Sequence, residues 1–184
     1  MAKRGGWFFW ASMVLVVAFI GMIFFYFALF KTNNASIYRE KGLVNPAANL
    51  TLEQVTEAFD ERFVQYLLYS IEAYNLHNPP LSSDTPKIEV IAGEDVYNAV
   101  IDEGIIEVGK GPMKKKDIVI TTSKIEAVKM LKDKNYVAKS FNDGLSTIDL
   151  IGGKSTLFAK GYLNLYNELT GKSITGNVIR IYLG

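Results

Sequence analysis

The chain contains no cysteine, a single histidine and almost no net charge. Without cysteine there is no disulfide staple and no thiolate metal site. His77 stands alone beside Asn78-Pro79-Pro80, so a His-based triad or a His-rich metal site has no partners to build from. Twenty basic residues against nineteen acidic ones exclude a strongly basic nucleic-acid binder. From Gly42 onward the balance is fifteen Lys and Arg to eighteen Asp and Glu, a mildly acidic domain poorly suited to broad adsorption on anionic lipid or nucleic acid. Asp102-Glu103 falls in a hairpin turn and Asp60-Glu61 on the polar side of a helix, and neither reads as an acid–base pair. The expectation is a non-enzyme with no catalytic residues, no cofactor, no metal and no nucleic-acid partner.

What the chain does have is one long apolar run. Trp7 to Phe30 carries no charge and no proline. At about 1.5 Å per residue it reaches roughly 36 Å, enough to span about 30 Å of hydrocarbon with modest tilt. Trp7 and Trp10 at one end and Tyr26 near the other suit the interfaces. The run exceeds the h-region of a cleaved signal peptide, and no A-x-A site follows it. The chain therefore divides into a basic tail and transmembrane anchor (1–30), a linker (31–50) and a folded domain (51–184). Lys3 and Arg4 precede the run, whereas Lys31, Arg39 and Lys41 follow it. Two sequons, Asn34-Ala35-Ser36 and Asn49-Leu50-Thr51, lie beyond it. The expected topology is a single-pass protein of the cell membrane, amino terminus inside and domain extracytoplasmic. Ala11, Ala18 and Gly21 are out of step for close helix pairing, which favours a lipid-facing anchor.

In the domain, Thr51 and Gln54 form a capping box. Leu52, Val55, Phe59, Phe63, Leu67 and Ile71 then recur at helical spacing, with Tyr66 and Tyr74 on the margin of the stripe. This predicts one amphipathic helix of six or seven turns ending before Asn78. Short strands follow at 88–92, 96–101, 105–109 and 117–122. They are separated by Gly93-Glu94-Asp95, by Asp102-Glu103-Gly104 and by 110–116. The spacing predicts a meander of consecutive antiparallel neighbours. Ser123 and Glu126 cap a helix through about Lys132, and a shorter helix spans 136–141. A strand follows at 145–151, then a helix from Ser155 to Leu169 with a broad apolar face. Gly171 stops that helix, and 178–183 reads as a last strand. The fold class is α+β, a mainly antiparallel sheet with helices on one face, preceded by one transmembrane helix.

Residues 87–153 carry a family pattern. Asp117, Ile120, Thr121 and Ser123 match a D-x-x-I-T-x-S strand end. Phe141 and Gly144 match the turn after the next helix, and Gly104 matches the hairpin glycine. Ser140 stands where the family usually has alanine. Over about residues 50–170 the chain resembles the sterol-carrier-protein-like (SCP-2 type) lipid-transfer domain. That resemblance implies a hydrophobic tunnel between sheet and helices that accepts a lipid or acyl chain. On that pattern the tunnel candidates are Phe59, Phe63 and Leu67 of the first helix, Ile120, Ile148 and Leu150 of the sheet, and Phe158, Tyr162, Leu165 and Tyr166 of the last helix. The chain departs from familiar members in its anchor, in ending without a peroxisomal tripeptide, and in the extra strand after the last helix.

Gly152-Gly153-Lys154-Ser155-Thr156 superficially resembles a phosphate loop. The position that should be the first glycine is Ile148, so a tight turn with a serine cap is the better reading. Met113-Lys114-Lys115-Lys116 reads as a solvated basic turn, with headgroup contact as its alternative. Two functions follow from these residues. One is a membrane-anchored lipid-binding module holding an acyl or isoprenoid chain from the adjacent membrane. The other is a non-catalytic accessory or scaffold subunit of a membrane protein assembly.

Overall fold

The computed structural model describes residues 13–23 and 43–171. Residues 13–23 are helical and exposed. The rest of the apolar run lies outside the described residues, as does the expected strand at 178–183. Among the described residues no helix is long and apolar enough to cross a membrane. The domain runs α1 (Leu52–Glu57), α2 (Glu61–Ser70), a short 3-10 turn (Ala73–Asn75), β1 (Lys87–Ala92), β2 (Asp95–Asp102), β3 (Ile105–Lys110), β4 (Ile118–Thr122), α3 (Lys124–Lys132), α4 (Tyr136–Asn142), β5 (Thr147–Leu150), α5 (Lys154–Ala159) and α6 (Tyr162–Thr170).

The five strands form one sheet in the order β3-β2-β1-β4-β5. β1, β2 and β3 are the expected antiparallel meander. β4 corrects the expectation: it lies beside β1 and runs parallel to it, with Val90 opposite Ile120. The sheet is therefore mixed. The chain leaves the far end of β3 and must start β4 at the opposite end, three strands away. Three strand spacings of about 4.8 Å and a five-residue strand length of about 17 Å give a diagonal of roughly 22 Å. Seven extended residues, 111–117, reach roughly 24 Å. The segment crosses as a strap, and side chains on the strands beneath hold it. Asn98 Nδ2 donates to the Gly111 carbonyl at 2.9 Å. The Met113 amide donates to Glu89 at 3.0 Å, and Lys116 is paired to the same carboxylate. Glu89 is thereby buried at 4% exposure. Burial pushes its carboxyl up, but the bonds from Lys116 and Met113 outweigh this and leave it below the ordinary value. The basic turn of the sequence is a bracket across the sheet.

The other face of the sheet holds the core. Ile88, Val90 and Ala92 of β1, Tyr97, Ala99 and Ile101 of β2, and Ile118 of β4 are fully buried. Alternation places them on one face, beneath the helices. The expected long first helix is split. Asp60 has extended backbone and caps α2 by accepting from the Arg62 amide at 2.9 Å. The break frees the Phe59 carbonyl to accept the Tyr97 hydroxyl at 3.2 Å. The last long helix is split as well, at Gly161, whose φ of +86° is one that glycine adopts readily and other residues rarely do. Gly153, not Ser155, is the residue before α5, and it makes no side-chain cap. The capping box at Thr51 and Gln54 is complete. At Ser123 only the serine half forms, because Glu126 turns inward to Tyr136 and Ser140. Part of the expected linker is packed. Ala47 is fully buried, and Asn45 Nδ2 donates to the Leu131 carbonyl at 2.9 Å.

Along the β3 edge, α2 reaches the strand backbone. The Ile106 amide donates to the Tyr69 hydroxyl at 3.1 Å, and the Ile106 carbonyl accepts Gln65 Nε2 at 2.7 Å.

Candidate functional site

Most of the residues predicted for a tunnel meet in the helix-covered layer. Phe59 and Phe63 stack with ring centroids 5.5 Å apart, and Tyr97 meets Phe59 edge-on at 6.1 Å. Leu67, Ile120 and Leu165 are buried beside them in the same core. Ile148 and Leu150 of β5 are only half-buried and pack at its margin, and Tyr166 is half-buried on α6. Phe158 is corrected: it is 73% exposed and faces away from the layer. The break at Gly161 changes the helical phase, so Phe158 and Tyr162 no longer share a face although they lie four residues apart.

Tyr162 is fully buried but serves a polar purpose. Its hydroxyl lies 3.0 Å from Asp117 Oδ2 and accepts the Lys87 amide at 2.8 Å. Burial first, and then the Asp117 charge, push that hydroxyl well above the ordinary tyrosine value. Lys160, also fully buried, lies at the centre of this cluster. Its ammonium donates to the Thr85 carbonyl at 2.9 Å and to both Asp117 oxygens at 3.2 and 3.0 Å, and pairs with Asp84 at 2.8 Å. Hydrogen bonds from Lys160 and then Lys87 hold Asp84 down to about 2. The ammonium's donors are all engaged, and the cluster ties the starts of β1 and β4 to the α5–α6 turn. It is an anchor, with no group left over for a ligand. A second cluster is likewise closed on itself: Thr122, Ser146 and Ser140 are linked by hydroxyls at 2.7 and 2.8 Å and end on Glu126.

Open space lies instead at the surface. A cleft of about 310 Å³ is bounded by Tyr66, Tyr69 and Ser70 of α2, Tyr74 of the 3-10 turn, and Met130 and Leu131 of α3, with Leu43 and Lys134 at its ends. Tyr69 and Tyr74 stack with centroids 6.2 Å apart and planes 25° from parallel. Glu72 arranges this: it follows α2 with φ +63°, so the chain doubles back and sets Tyr74 against Tyr69. The Tyr69 ring is fixed from below by the Ile106 amide. A smaller cleft of about 220 Å³ lies by the β2–β3 turn at Val100, Asp102, Glu103 and Glu107. Among the described residues no group of three or more His, Cys, Asp or Glu is placed to hold a metal ion.

No known family model matches the chain, and no curated protein matches it. Several solved structures are similar to parts of it, three of them as follows. A UbiJ-SCP2 ubiquinone synthesis protein is 13% identical at a TM-score of 0.36, over 62% of this chain and 95% of that one. The sterol carrier protein 2 like 2 from Aedes aegypti is 15% identical at 0.32, over 60% of this chain and 95% of that one. A sec-alkyl sulfatase is 13% identical at 0.31, over 46% of this chain, which spans only 13% of the sulfatase. Two of the three are sterol-carrier-protein domains, the family the sequence resembles. Identity and TM-score are both too low to assign the chain to that family.

The cleft was only partly visible in the sequence. Tyr66 and Tyr74 sit on the margin of the apolar stripe, which is the one local signal. Met130, Leu131 and Lys134 join them only through the packing of α3 on α2.

Proposed function

We propose that the chain is a membrane-tethered, non-catalytic lipid-binding module, and that an apolar lipid segment enters at the tyrosine-lined cleft between α2 and α3. The observation that carries this reading is the cleft itself. It is concave, its three tyrosines, Leu43, Met130 and Leu131 interspersed with the polar groups of Ser70 and Lys134, and at about 310 Å³ it falls at the lower end of the range for ligand sites. The inner tunnel candidates Phe59, Phe63 and Leu67 are already packed in the core, which leaves the surface cleft as the concave space on offer to a lipid segment. Its place in the chain supports the same reading. Leu43 lines the cleft and follows the apolar run by thirteen residues, a reach of at most about 44 Å. On this reading 7–30 is the anchor and the domain works beside its own bilayer, on the extracytoplasmic side.

The expected affinity is modest. About six methylenes buried at about 0.8 kcal/mol each amount to roughly 5 kcal/mol, a Kd on the order of 0.2 mM. Tethering offsets this by raising the effective lipid concentration. Native mass spectrometry of the full chain, extracted in a non-ionic detergent, should find co-purified lipid. Tyr66→Ala paired with Met130→Ala should abolish it. A lipid-free parent that also fails to take up a neutral alkyl probe refutes the reading. The closed inner layer, with Phe158 and Leu81 standing exposed, supports the second reading, an accessory or scaffold subunit that docks a protein partner.

A further inference from the structure

The sheet has two border strands, β3 and β5, and they are treated differently. On β3 the amide and carbonyl of Ile106 are taken by Tyr69 and Gln65 of α2. On β5 the Ile151 amide donates to the Asp117 carbonyl at 2.8 Å. By antiparallel alternation Thr147 and Asp149 also direct their backbone groups to β4, and Ile148 and Leu150 direct theirs away from the sheet. Ser146 comes first in that outward row, and its amide is taken by the Ser140 carbonyl. Among the described residues the outward groups of Ile148 and Leu150 have no partner. Leu145 and Ile151, both exposed, flank this open stretch. The Ile148 and Leu150 side chains lie half-buried at the margin of the core, and Asp149 between them stands exposed. Such a border is a template for one more strand.

The chain's own sequence supplies a match. In 178–183, Ile179, Ile181 and Leu183 fall on one side of a strand, and Val178, Arg180 and Tyr182 on the other. The reach fits as well. The described residues end at Gly171, where an added β-carbon would lie 3.8 Å from Asn142 Nδ2. Asn142 closes α4, and β5 starts five residues later. Six extended residues, 172–177, span about 20 Å, enough to bring Val178 alongside Thr147. We propose that the open edge of β5 is the docking site for residues 178–183 of the same chain, which add there as a sixth strand parallel to β5. Ile179 and Ile181 then continue the apolar row of Ile148 and Leu150, and Arg180 meets Asp149 on the solvent side. Parallel neighbours need a long crossover, which α5 and α6 supply. The inference is independent of the lipid reading of the α2–α3 cleft.

Because the chain has no cysteine, introduced pairs report position without background. The test uses the full chain in a maltoside detergent and a bifunctional thiol reagent spanning about 5 Å, the distance between neighbouring strands. Thr147→Cys with Val178→Cys should link within one chain, and Thr147→Cys with Tyr182→Cys should not. A link in the Tyr182 pair instead would overturn the parallel register. Links between two copies would put the segment on a neighbour's edge and overturn the same-chain assignment. The absence of any link in both pairs overturns the docking itself. Hydrogen exchange provides a reading without cysteines. Ile181→Pro removes a donor from the added strand and should speed exchange at the Ile148 and Leu150 amides about tenfold, the loss of about one net hydrogen bond each. The Ile120 amide in the sheet interior should be unchanged, which excludes general unfolding. Ile148 and Leu150 exchanging equally fast in parent and variant would refute the proposal.

Discussion

Replacing Lys160 by methionine keeps much of the side chain's length while deleting its ammonium, and the structure fixes what should follow. The ammonium has three partners. Asp84 is half exposed, so its share is small and screened. The loss falls on the Thr85 carbonyl and on Asp117, which is 8% exposed. Removing one member of a buried ion pair typically costs about 3–5 kcal/mol, because the remaining charge stays buried without its counterpart. Asp117 would keep the Tyr162 hydroxyl and the Lys87 amide, which places the expected cost near the lower end, about 3 kcal/mol. Adding Asp117→Asn removes the stranded charge. The double variant should therefore be more stable than the sum of the singles by at least about 1.5 kcal/mol. Urea unfolding of the full chain in non-ionic detergent, followed by near-ultraviolet circular dichroism of the tyrosines, measures both. A single-variant cost below about 1 kcal/mol, or strict additivity, would show that the cluster does not hold β1, β4 and the α5–α6 turn together.

The same unfolding assay checks three further expectations. Phe63→Ala removes a ring that is 2% exposed and stacked on Phe59, and should cost about 3–5 kcal/mol; a cost under about 1 kcal/mol would mean that the inner layer is open. Asp60→Ala removes the cap of α2 and should cost about 1 kcal/mol, whereas an unchanged urea midpoint would mean the break between α1 and α2 does not depend on the cap. Acid should weaken the domain through Asp84, whose folded value of about 2 lies below its ordinary 3.8. That contribution is present above pH 3.8 and is lost as pH falls towards 2. Asp84→Asn should flatten the pH dependence across that window, and a profile identical to the parent's would refute the assignment.

The strands were legible because their signals are local. Period-two alternation and the turns at Gly93 and Gly104 mark β1, β2 and β3 without help from the rest of the chain. The partner of β4 was not legible, because it is decided by the strap of 111–117 and by Glu89, which reads in sequence as a solvent-facing strand residue. The two helix breaks were masked by periodicity. Phe59 and Phe63 keep four-residue spacing across the Asp60 cap, and Phe158 and Tyr162 keep it across Gly161. Lys160 gave no sign of burial, since a lysine among apolar residues ordinarily lies at the surface with its head in water. Only Asp117, Thr85 and Asp84, more than forty positions away, make its burial possible. The cleft shows the same division: Tyr66 and Tyr69 lie on α2 and Tyr74 on the 3-10 turn that follows, and the other wall arrives from α3.

The side-chain bonds that α2 sends to Ile106 have a consequence for how copies of this protein coexist. A strand at the border of a sheet is a template on which another chain's strand can grow, and β3 is such a border strand. Gln65 occupies the carbonyl of Ile106 and Tyr69 its amide, so neither group of that residue is left for an added strand. Tyr69 therefore has two tasks at once, a wall of the cleft on its ring and a stopper against self-association on its hydroxyl. A phenylalanine there would keep the wall of the cleft while freeing the Ile106 amide.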